Sequence, residues 1–203
     1  RTRTEKITKH TINAGKYMIK FHPAGSFDLL DRCYELGLPV EPPIAVGLDR
    51  FGEEKVIIVE KIAGQNYLDI ITDESDRSFT HIVVNREAFL ALGSTAWLFC
   101  SRGIVPGDSK LENYLYDGDK SVRIDLIPQH DSVLDISWEE MNRDMKKVGV
   151  NQEKLSRLSS DIKCIITDMG ACLAGRKQSK RRFSRAFDAF CEGFEKDKLS
   201  KLF

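Results

Sequence analysis

The chain has 203 residues, 41% apolar and 31% charged, and its 31 Lys and Arg are balanced by 31 Asp and Glu. That apolar content supports a packed core and excludes a disordered chain. Apolar runs such as Val56 to Val59 fall far short of the ~20 residues that cross a bilayer. Zero net charge argues against a chain built to coat nucleic acid, although a basic segment can hide inside a balanced total.

Ile7 to Ile12 and Tyr17 to Phe21 read as strands joined through Asn13-Ala14-Gly15-Lys16, where Asn and Gly tolerate a positive φ. A short helix follows from about Phe27 to Leu36, stopped by Gly37 and Pro39. After Pro42-Pro43, the runs Ile44 to Leu48 and Val56 to Ile62 form a second hairpin that ends at Gly64. There the period changes from two to three-and-four. Phe89, Leu92, Ala96 and Phe99 mark a buried helix over Arg86 to Arg102. Two short strands, Tyr114 to Tyr116 and Val122 to Leu126, turn at Asp117-Gly118-Asp119. Helical patterns cover Trp138 to Val148, Gln152 to Leu173 and Arg182 to Phe194, the last with an apolar stripe of Phe183, Phe187, Phe190 and Phe194. The expected organisation is α+β, a small antiparallel N-terminal part over 1–64 and a mainly helical part over 65–203.

Five cysteines without a C-x-x-C pair read as free thiols in a reducing, cytoplasmic setting. The four histidines form no metal-binding pattern.

The chemistry concentrates in Pro106-Gly107-Asp108-Ser109-Lys110-Leu111-Glu112-Asn113, between a buried helix and a strand pair. Asn113 follows Asp108 by five positions, and Asp125 comes twelve after Asn113. By itself the stretch also reads as a turn in which Asp108 and Asn113 satisfy local backbone groups. Its order and spacing resemble the protein-kinase-like superfamily, whose catalytic loop is Asp-x-x-x-x-Asn followed by a metal-binding Asp. Asp108 to Asn113 matches Asp-Leu-Lys-Pro-Glu-Asn, common in Ser/Thr kinases, at four of six positions. The resemblance implies a bilobal fold, Asp108 as the base for an acceptor hydroxyl, Lys110 at the γ-phosphate of ATP, and Asn113 and Asp125 as Mg²⁺ ligands. Tyr17-Met-Ile-Lys20 is similar to the strand that sets a Lys over the α- and β-phosphates, although a solvated Lys is the ordinary alternative. Ile57 to Gly64 resembles the strand and hinge that meet adenine, with Val59 as gatekeeper and Glu60 and Ile62 at the base edge. Asp144 is similar to the helix Asp that ties down the catalytic loop, and equally to a solvated helix residue.

Four features depart from the family pattern. The first strand and its glycine-rich loop are expected upstream of Arg1 or absent. Pro106-Gly107 stands where His-Arg is usual, and Asp125-Leu126-Ile127 where Asp-Phe-Gly is usual. An acid to pair with Lys20 is not obvious; among Asp28, Asp31 and Glu35, register favours Asp28. Asp125 and Asp144 are too close for a full activation segment, so the plan is similar to minimal bacterial effector kinases, Bud32/RIO-type atypical kinases and lipopolysaccharide-core sugar kinases. Lys110 favours a protein Ser/Thr acceptor over a sugar, and the departures keep a pseudokinase scaffold open. Arg176, Lys177, Lys180, Arg181, Arg182 and Arg185 read as a solvated basic turn, or as a docking site for an acidic partner or anionic surface.

Overall fold

Residues 11–21, 25–72, 85–104, 107, 109–126, 160–174, 176 and 178–200 are described by the structure, a computed structural model. Strands β1 (Thr11–Ala14) and β2 (Tyr17–Lys20) meet at Gly15-Lys16. Gly15 adopts φ +74° there, a value that the first central position of a two-residue hairpin demands and a side chain resists. Helix α1 (Ser26–Glu35) turns Leu30 and Cys33 inward. It ends where Gly37 takes φ +69° and the Leu38 N–H donates back to the Cys33 carbonyl at 3.0 Å, which satisfies an orphan helix carbonyl. Strands β3 (Pro43–Leu48) and β4 (Glu54–Glu60) complete a four-stranded antiparallel sheet in the order β1-β2-β4-β3.

Beyond β4 the chain forms strand β5 (Gln65–Asn66), helix α2 (Tyr67–Thr72) and the long helix α3 (Arg86–Ser101). Asn85 caps α3, its side-chain oxygen accepting from the Ala88 N–H at 3.2 Å. A 3₁₀ turn (Leu111–Asn113) leads into β6 (Tyr114–Tyr116) and β7 (Ser121–Arg123), which form a second antiparallel sheet with β5. Strand β7 stops at Arg123 rather than Leu126, because Asp125 takes a left-handed φ of 54° that an extended strand cannot hold. Helices α4 (Ser160–Leu173) and α5 (Ser179–Ser200) complete the described part. The architecture is α+β, an antiparallel sheet part followed by a mainly helical part. The helix expected at Trp138 to Val148 lies outside the described residues.

Two apolar clusters hold these elements. The larger joins α2, α3, α4 and α5 around Phe89, Leu92, Ile166, Met169 and Phe190. The Phe stripe of α5 belongs there: Phe183 and Phe190 are buried, and Phe194 meets Trp97 edge-on at 5.3 Å. The smaller cluster gathers Leu30, Cys33, Leu38, Val40, Ile57 and Val59 with Phe99, Ile104 and Leu126. The sheet part therefore shares its core with the end of α3 and the residues after β7 instead of closing on itself. Gly64 is also more than a strand end, since a Cβ there would lie 2.8 Å from the Tyr116 carbonyl oxygen of β6.

Helices α3 and α5 cross at Gly93 and Gly193. A Cβ on Gly93 would overlap the Phe190 carbonyl oxygen, and one on Gly193 the Leu90 carbonyl oxygen. Gly→Ala inside an exposed helix ordinarily stabilises by about 0.5–1 kcal/mol. At this crossing the sign reverses: Gly93→Ala or Gly193→Ala is expected to destabilise by about 1–3 kcal/mol through overpacking, read as a lower urea midpoint.

Candidate active site

Pairing of β2 with β4 sets Lys20 opposite Ile57 and Met18 opposite Val59. Paired residues share a face, so the alternation turns Met18, Lys20, Ile57 and Val59 to the same side, against α1 and the smaller core. Lys20 is consequently only 3% exposed. A buried ammonium costs several kcal/mol in lost hydration unless carboxylates replace the water. Its Nζ donates to both oxygens of Glu41 at 2.6 Å and to Oδ1 of Asp125 at 2.5 Å. The carboxylate beside Lys20 is thus Glu41 and not Asp28, which lies exposed in the first turn of α1. The physical reason is direction: α1 presents Leu30 and Cys33 to the core, whereas Glu41 follows Val40, which bridges to Arg123 of β7.

Glu41 is buried, and burial pushes its carboxyl above the usual carboxylate range. The neighbouring Lys20 pulls the other way but is outweighed, and Asp125 adds a smaller upward push. Asp125 is in a conformation that costs a non-glycine residue roughly 1–3 kcal/mol. Two contacts offset that strain: its carboxylate meets Lys20, and its N–H donates to Oε2 of Glu41 at 3.3 Å. With its side chain 37% exposed, Asp125 forms the open end of the cluster.

Gly107 and residues 109–113 lie beside this cluster and are tethered from several elements. The Asn113 carbonyl accepts from the Ile124 N–H at 2.9 Å, so Asn113 and Asp125 are joined through one intervening residue. Oδ2 of Asp168 on α4 accepts from the Leu111 N–H at 2.6 Å. Asn66 Nδ2 donates to the Glu112 carbonyl at 2.6 Å, and Arg123 to the Gly107 carbonyl at 2.5 Å. Cys172 donates its thiol to the other oxygen of Asp168 at 3.8 Å; burial and the Asp168 charge push that thiol up to about 12, so it stays a donor. Asp108 and Asp144 lie outside the described residues. Asn113 is buried and Lys110 half-buried.

Val59 is fully buried two residues along from the Lys20 pairing, while Glu60 and the half-buried Ile62 carry the chain out of the sheet towards β5. Ile62 lines a cleft of about 830 Å³ with Leu38, Val40, Pro42, Leu98 and Val122; Lys20, Glu41 and Asp125 do not line it. In the basic segment, Arg182 turns inward, is 7% exposed and donates to the Ile71 carbonyl at 2.6 Å. It holds the end of α2 and is not on a docking surface, whereas Lys180, Arg181 and Arg185 are exposed. Arg176 is exposed and donates to the Cys172 carbonyl at 2.8 Å. Lys177 lies outside the described residues.

Sequence reasoning passed over Glu41, Asp168, Arg123 and Asn66. Three carried a signal: a lone acid in Val40-Glu41-Pro42-Pro43, the only acid between Lys163 and Arg176, and a lone Arg within Val122-Arg123-Ile124. Asn66 carried none.

No protein-family model matches the chain, and no curated protein matches it significantly. It is weakly similar to the kinase domain of maize SIRK1 (sucrose-induced receptor kinase 1) bound to AMP-PNP, at 16% identity and a TM-score of 0.39. It is also weakly similar to Rad53 1–466 in complex with AMP-PNP, at 15% identity and a TM-score of 0.38. These matches cover 80% and 89% of this chain, which spans 61% and 48% of the two solved chains.

Among the described residues, no three or more His, Cys, Asp or Glu side chains group as a metal site, and no helix is long and apolar enough to cross a membrane.

Lys20→Met leaves Glu41 buried without its cation and is expected to cost about 3–5 kcal/mol, whereas Lys20→Met with Glu41→Leu recovers most of that loss. Urea unfolding of the single and double variants measures the difference. The raised carboxyl of Glu41 makes the folded chain hold a proton that the unfolded chain has released. Its contribution to stability is therefore present below the ordinary carboxylate range and falls as pH rises towards its raised value. Glu41→Gln should flatten the fall in stability that sets in as pH rises above the ordinary carboxylate range, read from urea midpoints across pH.

Proposed function

We propose that the chain is an atypical, protein-kinase-like phosphotransferase that moves the γ-phosphate of ATP to a hydroxyl, with a protein serine or threonine as acceptor. The observation that carries this reading is the buried Lys20 ammonium held between Glu41 and Asp125, with Asn113 joined to the same strand end. A fixed cation beside a partly open carboxylate suits the charged oxygens of a nucleotide triphosphate, since phosphoryl transfer depends on positioning and charge neutralisation.

In this reading Lys20 binds the α- and β-phosphates while Glu41 keeps its ammonium in place. The buried Val59 backs the adenine, and the backbone of Glu60 and Ile62 meets the base edge. Asn113 and Asp125 offer the hard oxygen donors that Mg²⁺ prefers, and the carboxylate at the open end fits such an ion. Mg²⁺ supplies neutralisation of the phosphate charge when bound. Asp108 orients the acceptor hydroxyl and takes its proton as the new O–P bond forms, and the bond from Pγ to the ADP oxygen breaks. Lys110 steadies the transferring group, and its presence favours a protein acceptor. The exposed Lys180, Arg181 and Arg185 suit an acidic partner.

Asp108→Ala and Asp125→Ala are expected to lower transfer from labelled ATP to protein by roughly 100–1,000-fold or more. Asp125→Ala should also abolish the rise in unfolding temperature that Mg-ATP gives the wild type. Equal labelling by wild type and both variants rejects the assignment. Turnover of a sugar panel without protein labelling moves the acceptor to a glycan. Nucleotide-linked stabilisation without any transfer indicates a scaffold.

A further inference from the structure

Arg123 is the largest fully buried side chain among the described residues, with 0% exposure, at the end of the short strand β7. A strand of this kind ordinarily buries a Val or Ile, because an interior guanidinium forfeits several kcal/mol of hydration. What Arg123 touches suggests why it is there. Its Nη2 donates to the Gly107 carbonyl at 2.5 Å, and its guanidinium lies over the Tyr114 ring at 4.8 Å. Its own N–H donates to the Pro39 carbonyl at 2.8 Å, and Val40, next to Glu41, bridges to it. Three consecutive amides thus alternate between partners: Arg123 to Pro39, Ile124 to Asn113, and Asp125 to the Glu41 carboxylate. The backbone of 123–125 splints the Glu41 segment to the loop, and the Arg123 side chain extends the splint to the start of that loop.

The loop needs such an anchor for a local reason. Pro106 has no N–H and Gly107 has no side chain, so few groups are available to fasten the backbone just before Asp108. The Gly107 carbonyl is one of them, and Arg123 holds it with a donor whose planar fork tolerates little rotation.

We propose that Arg123 is a positioning residue for phosphoryl transfer: through the Gly107 carbonyl it sets residues 109–113 in register with Lys20, Glu41 and Asp125. It touches neither nucleotide nor acceptor and acts on the geometry between them. This inference rests on the phosphotransferase reading above.

The test separates positioning from simple stability. Arg123→Met replaces a buried charge with an apolar chain of similar length, an exchange that often leaves stability unchanged or higher. Expected are a kcat lower by roughly 100-fold with nucleotide affinity and unfolding midpoint near wild type, since a misplacement of about 1 Å can cost that much. Arg123→Lys, which keeps one donor, should retain part of kcat. Added guanidinium at a non-denaturing concentration should restore part of the activity of Arg123→Ala. Hydrogen exchange gives a readout without activity: in Arg123→Met, amides of 109–113 should lose protection while those of α3 and α5 keep theirs. Wild-type kcat in Arg123→Met, or unchanged protection across 109–113, overturns the proposal. So does a joint fall of kcat, nucleotide affinity and unfolding midpoint with no guanidinium rescue. If wild type transfers no phosphate to any acceptor, the phosphotransferase reading fails on its own, and the exchange result alone decides whether Arg123 sets the loop.

Discussion

An ammonium with 3% exposure must find carboxylates within hydrogen-bond reach, and the geometry around Lys20 follows from that requirement. The alternation of β2 turns Lys20 towards the same interior as Met18, Ile57 and Val59. Glu41 and Asp125 arrive from opposite directions, one leading into β3 and the other leaving β7. Asp125 adopts a strained φ to do so, and its backbone N–H is held by the carboxylate that also holds Lys20. Loss of Lys20 leaves Glu41 buried without compensation, whereas loss of either carboxylate leaves Lys20 with a single one.

That dependence extends into the apolar core. The cluster under the four-stranded sheet includes Phe99 and Ile104 from the end of α3 and Leu126 just after Asp125. Packing and charge pairing therefore act on the same join, apolar contacts fixing the spacing and the ion cluster fixing the register. Behind them, α3 and α5 cross closely at two glycines, and Asp168 on the adjoining α4 tethers the loop at Leu111.

Among the described residues 107 and 109–113, the regular structure is a single 3₁₀ turn. It is positioned by groups from β5, β7 and α4, each satisfying a different backbone amide or carbonyl. Buried backbone groups must be paired somewhere, and here the pairing itself specifies the loop. The proposed phosphoryl transfer would make use of this division, since there the reacting groups need fixed positions more than reactive side chains.

Local chemistry made much of this legible in the sequence. Gly15 marked the first turn, Gly37 the end of α1 and the Phe stripe the buried face of α5, because each depends on backbone conformation or periodicity within a few residues. The order of Lys20, Asn113 and Asp125 along the chain was readable for the same reason. Their partners were not. Glu41 lies 21 positions from Lys20, Asp125 lies 105 from it, Asp168 lies 57 from Leu111 and Asn66 lies 46 from Glu112. Asp28, Asp31 and Glu35 offered equivalent carboxylates nearer to Lys20 in the chain, and only the packing of α1 turned the choice to Glu41. Residue identity and local pattern set which residues carry charge and where the chain turns. Which charges meet was decided by the tertiary structure, because burial and distance are properties of the packed chain.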